Sequence, residues 1–80
     1  MTSIKWVEPV SVAAGAQEIR VVSGPSEALA CLSEAWPDAR GPRYVAARSI
    51  CRAAIDGRKP VEDARNLFLL AAHEAKLHAH

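Results

Sequence analysis

Bulky aromatic side chains are scarce in this sequence, with two tryptophans, one tyrosine and one phenylalanine among 80 residues. So thin a set gives no row of rings on which the bases of a single strand could stack. Cysteine is nearly missing too. Cys31 and Cys51 stand alone, with no second thiol or histidine at metal-ligand spacing, which argues against a thiolate metal site. The expectation is two free, buried thiols in a reducing compartment, with a Cys31–Cys51 disulfide as the alternative. Long hydrophobic runs are absent. The longest, "LFLLAA", falls far short of the roughly 20 residues a bilayer requires. The opening "MTSIKWVEPV" has no apolar stretch of signal-peptide length. The chain is therefore expected in the cytoplasm without a membrane partner. No paired carboxylates, phosphate-cradling glycine loop or Ser/His/Asp order is present. A non-enzymatic protein with no cofactor is expected.

Half of the residues count as hydrophobic, but many of these are alanine. Alanine contributes little transfer free energy yet lets helices approach closely, which suits a small helical core. A chain of this length forms one domain, residues 1–80, and buries only about 60% of the surface its unfolded form exposes. The net charge of +1 conceals a split. Residues 1–39 carry two basic and five acidic groups, residues 40–59 six basic and one acidic, and residues 60–80 two basic and three acidic. Positive charge is thus concentrated in the middle of the chain.

The pattern predicts an α+β fold: an N-terminal antiparallel β-hairpin followed by three helices, ββααα. Ile4, Trp6, Val10 and Val12 fall on alternate positions, and Pro9 suggests an edge strand or a bulge. "AAGAQ" reads as a turn, and "EIRVVS" as the returning β-branched strand. A lone hairpin is marginal in water, so it must pack on helices or pair with another chain. The first helix is signalled by "SGPSEALACLSEAW", with Ser23 or Gly24 as cap, Pro25 in the first turn and Glu27 favourable to the helix dipole. Leu29, Leu32 and Trp36 share a face, and Pro37 ends the helix at Trp36. Gly41 and Pro42 open the second helix and Gly57 stops it. Its apolar stripe is Tyr44, Ala47, Ile50, Cys51 and Ala54. Pro60, Glu62 and Asp63 open the third. Val61, Ala64, Phe68, Ala72 and Ala75 form its core stripe, while Leu67, Leu70 and Leu77 lie on nearly the opposite side.

Two surfaces are candidate sites. Continued helical winding brings Arg48, Arg52 and Lys59 within about 40° of one another, a strip for an anion or an acidic partner. The plainer account is internal neutralisation by Asp56, Glu27 and Glu34. Two helices and a tight turn imitate a helix-turn-helix, but no reading motif accompanies them, so nucleic acid is the disfavoured partner. The second surface is the leucine set Leu67, Leu70 and Leu77, which suits contact with a protein, a second copy included. His73 and His80 would stand about 10 Å apart along a straight helix, too far to share one metal ion. His78 and His80 lie in the last three residues, where fraying is usual, so solvent exposure is expected. Both cysteines fall on apolar stripes, where a thiol behaves as a small hydrophobe. Trp36 and Tyr44 flank the proline corner and are expected to pack beneath it.

The run "WP...GP.Y..A...C..A..G......AR..F..AA.EA" is carried by Trp36, Pro37, Gly41, Pro42, Tyr44, Ala47, Cys51, Ala54, Gly57, Ala64, Arg65, Phe68, Ala71, Ala72, Glu74 and Ala75. It resembles the domain of unknown function 982 family, short proteins found mostly in rhizobia and related alphaproteobacteria. With the N-terminal "W..PV.V" the resemblance covers nearly the whole chain. It implies no established activity and no catalytic residue. Arg65 is the matched charge singled out, expected to bond back to the "WPDARGP" corner. The stretch from Ala35 to Ala54 thus reads first as a corner between two helices, and the chain as a protein-contact domain.

Overall fold

The computed structural model describes residues 5–13, 19–34, 36, 41–75 and 77–79. Ile4, most of the "AAGAQ" turn, Glu18, Pro37 and His80 lie outside the described residues. The elements run β1 (Val10–Ala13), β2 (Ile19–Val22), α1 (Pro25–Glu34), α2 (Pro42–Ile55), α3 (Val61–Glu74) and β3 (His78–Ala79). The expected antiparallel hairpin and its three following helices are present. β1 pairs antiparallel with β2 through Val10↔Val22 and Val12↔Arg20.

Two expectations at the ends of the chain are corrected. β1 is the central strand of a three-stranded sheet ordered β2-β1-β3, not an edge. Pro9 stands just before its first residue, where its missing N–H removes no ladder bond. The third helix stops at Glu74, and the chain turns back to pair Val12 with Ala79 and Ala13 with His78. His78 is therefore a strand residue. Leu77 no longer belongs to a helical stripe.

Each helix boundary has a local cause. At α1, the Glu27 carboxylate accepts from the Ser23 N–H at 2.9 Å, a variant of the capping box. α2 begins at Pro42 with Gly41 as N-cap. It ends in a Schellman motif: Gly57 adopts φ 80°, its N–H donates to Ala54 O, and Arg58 N–H donates to Ala53 O at 2.8 Å. A side chain at that φ is strained, so glycine belongs there. The same six-to-one bond closes α3, from Leu77 N–H to Ala72 O at 2.8 Å, and starts the reversal into β3.

All four aromatic residues meet in one buried row. Trp6 lies 6.0 Å from Phe68, Phe68 5.6 Å from Trp36, and Trp36 6.2 Å from Tyr44, every pair tilted. Such inclined contacts are the ones aromatic quadrupoles favour. Phe68, fully buried on α3, is the hub; Trp6 joins it from the N-terminal segment and Trp36 from beyond α1. Trp6 is fixed at both ends, its backbone N–H donating to Ser23 O and its indole N–H to Val61 O at 2.7 Å. Around the row pack Val10, Val12, Val22, Leu32 and alanines 28, 47, 54, 64, 71 and 72. Small side chains on α2 and α3 let the two helices run closely side by side.

Candidate functional site

The corner between α1 and α2 is held by two side chains that close orphan helix ends. Tyr44, in the first turn of α2, donates its hydroxyl to Leu32 O at 2.9 Å in the last turn of α1. That carbonyl has no acceptor role within its own helix. At the start of α2 the Glu74 carboxylate accepts from the Arg43 and Tyr44 N–H groups, each at 3.3 Å. Glu74 comes from the far end of α3 and supplies what the capless Gly41 lacks. A Cβ on Gly41 would stand 2.7 Å from the Glu74 carboxyl carbon, so glycine is what admits the clamp.

Residues 37–40 of the corner, to which Arg65 was expected to bond, lie outside the described residues. The Arg65 Nε–H donates to Glu8 O at 2.9 Å, tying α3 to the segment before β1. The signal for Glu74 was electrostatic. A carboxylate in the last turn of a helix opposes that helix's own dipole, so it requires a compensating group elsewhere. Here the positive end of α2 is that group.

The basic candidates are only partly brought together. Arg48 is half-buried with its guanidinium 5.9 Å from the centre of the Tyr44 ring, a cation–π contact. Among the described residues its Nε, like the indole nitrogen of buried Trp36, has no hydrogen-bond partner. Arg52 is exposed one turn further along. Lys59 lies past Gly57, outside α2, so the helical winding that aligned it with the arginines does not extend to it. The neutralisation expected from Asp56 goes to Arg58, at 3.2 Å between two exposed side chains. Glu27 is used at the start of α1. A shallow hollow of about 390 Å³ beside these groups is lined by Leu29, Arg52, Ile55, Asp56 and Arg58.

The leucine candidates also separate. Leu67 and Leu77 are partly buried against the core, whereas Leu70 is 40% exposed. Beside Leu70 a hollow of about 350 Å³ is lined by Asn66, Leu69, Leu70 and His73. These four occupy one face of α3, and of them only Leu70 had been singled out as a contact residue. The overlooked signal is their i, i+3, i+4, i+7 spacing, which was hidden because two of the four are polar.

Both cysteines are free and buried. Burial raises the Cys31 thiol, with Arg20 opposing and Glu34 assisting, and pushes Cys51 up to about 12. In both cases burial disfavours the thiolate, which is the reactive form. Among the described residues no group of three or more His, Cys, Asp or Glu side chains could hold a metal ion. No helix among them is long and apolar enough to cross a membrane.

No curated protein and no solved structure matches the chain significantly. A family match does exist, and it contains the aromatic hub, the corner and the Glu74 clamp. It begins at Glu8, so Trp6 of the "W..PV.V" pattern falls just outside. Spanning residues 8–79, it establishes that the chain belongs to the family described as "Protein of unknown function (DUF982)".

Proposed function

We propose that this is a non-enzymatic domain that acts through protein contacts, a second copy of itself among them. The observation that carries the reading is the outward face of α3, where Leu70 is 40% exposed while Leu67 packs on the core. An apolar side chain beside a hollow on a rigid helix is the kind of surface a partner helix or loop can fill. The absence of catalysis is supported by thiols held protonated. Two cysteines kept as free thiols also fit a cytoplasmic location.

The rival is an anion or nucleic-acid site on Arg48, Arg52 and Lys59. It has weaker support, since Arg48 is engaged over Tyr44 and Lys59 stands off the helix. Affinity capture from native lysate separates the two. Wild type, Leu70→Glu and Arg48→Glu/Arg52→Glu are compared, each with and without nuclease. Partners lost only with Leu70→Glu support the contact reading. Partners lost with nuclease or the charge reversal overturn it in favour of the rival, and binding to a polyanion should then weaken steeply with salt.

A further inference from the structure

We infer that the hollow beside the end of α2 takes an acidic segment of a partner protein, with one apolar side chain of that segment seated in it. The inference goes beyond the Leu70 reading, since it concerns another surface. The hollow, about 390 Å³, is lined by Leu29 of α1 and by Arg52, Ile55, Asp56 and Arg58 at the end of α2. Leu29 and Ile55 are half-buried and form its apolar walls, while Arg52 and Arg58 stand exposed beside them. Val45, 63% exposed, is seven positions before Arg52 and so lies on the same stripe of α2. Apolar and basic groups thus share one surface.

Charge names the occupant. Residues 40–59 hold six basic groups and one acid, and the fold leaves most of that excess standing. The acid, Asp56, is paired with Arg58 at 3.2 Å, the one ion pair among the described residues. Glu27 and Glu74 are spent on backbone N–H groups. Arg52 has no acidic partner among the described residues, and it stands at i+4 from Arg48, a like-charge spacing that destabilises a helix. The negative end of the α2 dipole lies here too, but it amounts to about half a charge. Arg52, Arg58 and the neighbouring Lys59 outweigh it and Asp56 together. A carboxylate brought to Arg52 relieves this excess. A phosphate backbone fits less well, because the hollow has apolar walls and a carboxylate of its own. Trp6, Trp36, Tyr44 and Phe68 are all buried, so a base finds no ring to stack on. Arginine, by contrast, is enriched at the core of protein interfaces.

Titration followed by amide NMR is the test. The probes are a peptide of repeated Glu-Glu-Leu triplets, its Glu-Glu-Ser counterpart and an oligothymidylate of equal charge. The Glu-Glu-Leu peptide should shift the amides of Leu29, Arg52, Ile55 and Arg58. It should bind several-fold more tightly than Glu-Glu-Ser, because only its leucine fills the hollow. Arg52→Glu should weaken it about tenfold while the circular dichroism stays that of wild type. Arg43→Glu makes the same change of net charge on the opposite side of α2, nine positions away, and should bind as wild type does. Equal affinity for the two peptides, or equal losses in the two variants, reduces the effect to net charge and overturns the inference. Absent shifts, or shifts elsewhere on the chain, overturn it as well. Tighter binding of the oligothymidylate overturns it in favour of a nucleic-acid surface. Self-association of wild type that Arg52→Glu abolishes gives the hollow to a second copy and overturns the acidic partner. Each of these outcomes leaves Leu70-dependent capture from lysate unaffected, so the two readings fail separately.

Discussion

If Glu74 is the cap of α2, then Gly41 and Glu74 are one device, and removing either should forfeit the same stabilisation. Glu74→Ala leaves the Arg43 and Tyr44 N–H groups without their acceptor. Loss of an N-cap acceptor costs about 1 kcal/mol, within a range of roughly 0.5–2. Gly41→Ala reaches the same end by a different route. Its Cβ would sit 2.7–2.8 Å from the carboxyl group, and the flexible end of Glu74 must swing away. Backbone strain does not enter, since Gly41 has φ −92° and ψ −164°, an extended conformation open to any residue. Whatever alanine otherwise does at that position, through N-cap preference or through the unfolded chain, is common to both backgrounds and cancels in a double-mutant cycle.

The cycle should therefore show a coupling of about 1 kcal/mol, with Gly41→Ala distinctly less harmful once Glu74 is already alanine. In a domain of this size that corresponds to a difference of roughly 4–8 °C in Tm between the two backgrounds. Thermal and urea unfolding of the four proteins measure it. Additivity within about 0.3–0.5 kcal/mol would refute the clamp. Glu74→Gln is a useful companion, because it keeps the acceptor oxygen and loses only the charge. It should fall between wild type and Glu74→Ala.

Other consequences follow from the same geometry. Tyr44→Phe deletes the hydroxyl that closes α1 on Leu32 O, and chemical denaturation should show a loss of about 1–3 kcal/mol, the cost of an unsatisfied buried carbonyl; an unchanged midpoint would mean that water replaces the bond. For Cys51, the unfolded thiol ionises near its ordinary 9.0 while the folded one stays protonated to about 12. The unfolded state then binds fewer protons, so this group's contribution is intact below pH 9 and falls as pH rises towards 12. Cys51→Ala should flatten that alkaline decline, and native Cys51 should resist alkylation at pH 8 until the protein is unfolded; rapid labelling of the folded protein would contradict its burial.

Much of this fold was legible in local chemistry. Pro42, Gly57 and Pro60 bracket α2 and the start of α3, because proline at a first turn and glycine past a last turn act within a few residues. Period 3.6 placed Tyr44, Ala47, Cys51, Ala64, Phe68 and Ala72 on buried stripes, since a helix faces one core along its length. Winding misled where it was extended past a helix end, as at Lys59 and Leu77, and at Leu67, which was placed opposite the core stripe and packs on the core. The contacts that define the candidate surfaces were out of local reach. Glu74 reaches α2 across 31 positions, Arg65 reaches Glu8 across 57, and β3 exists because β1 offers it an open edge. A two-residue strand has too little periodicity to announce itself, and a carboxylate does not name its partner. The sequence by itself determined the elements and their buried faces, through proline and glycine chemistry and hydrophobic period. Only the tertiary structure decided which charged groups are spent inside the fold and which face of α3 is left open, because both depend on distances between residues far apart along the chain.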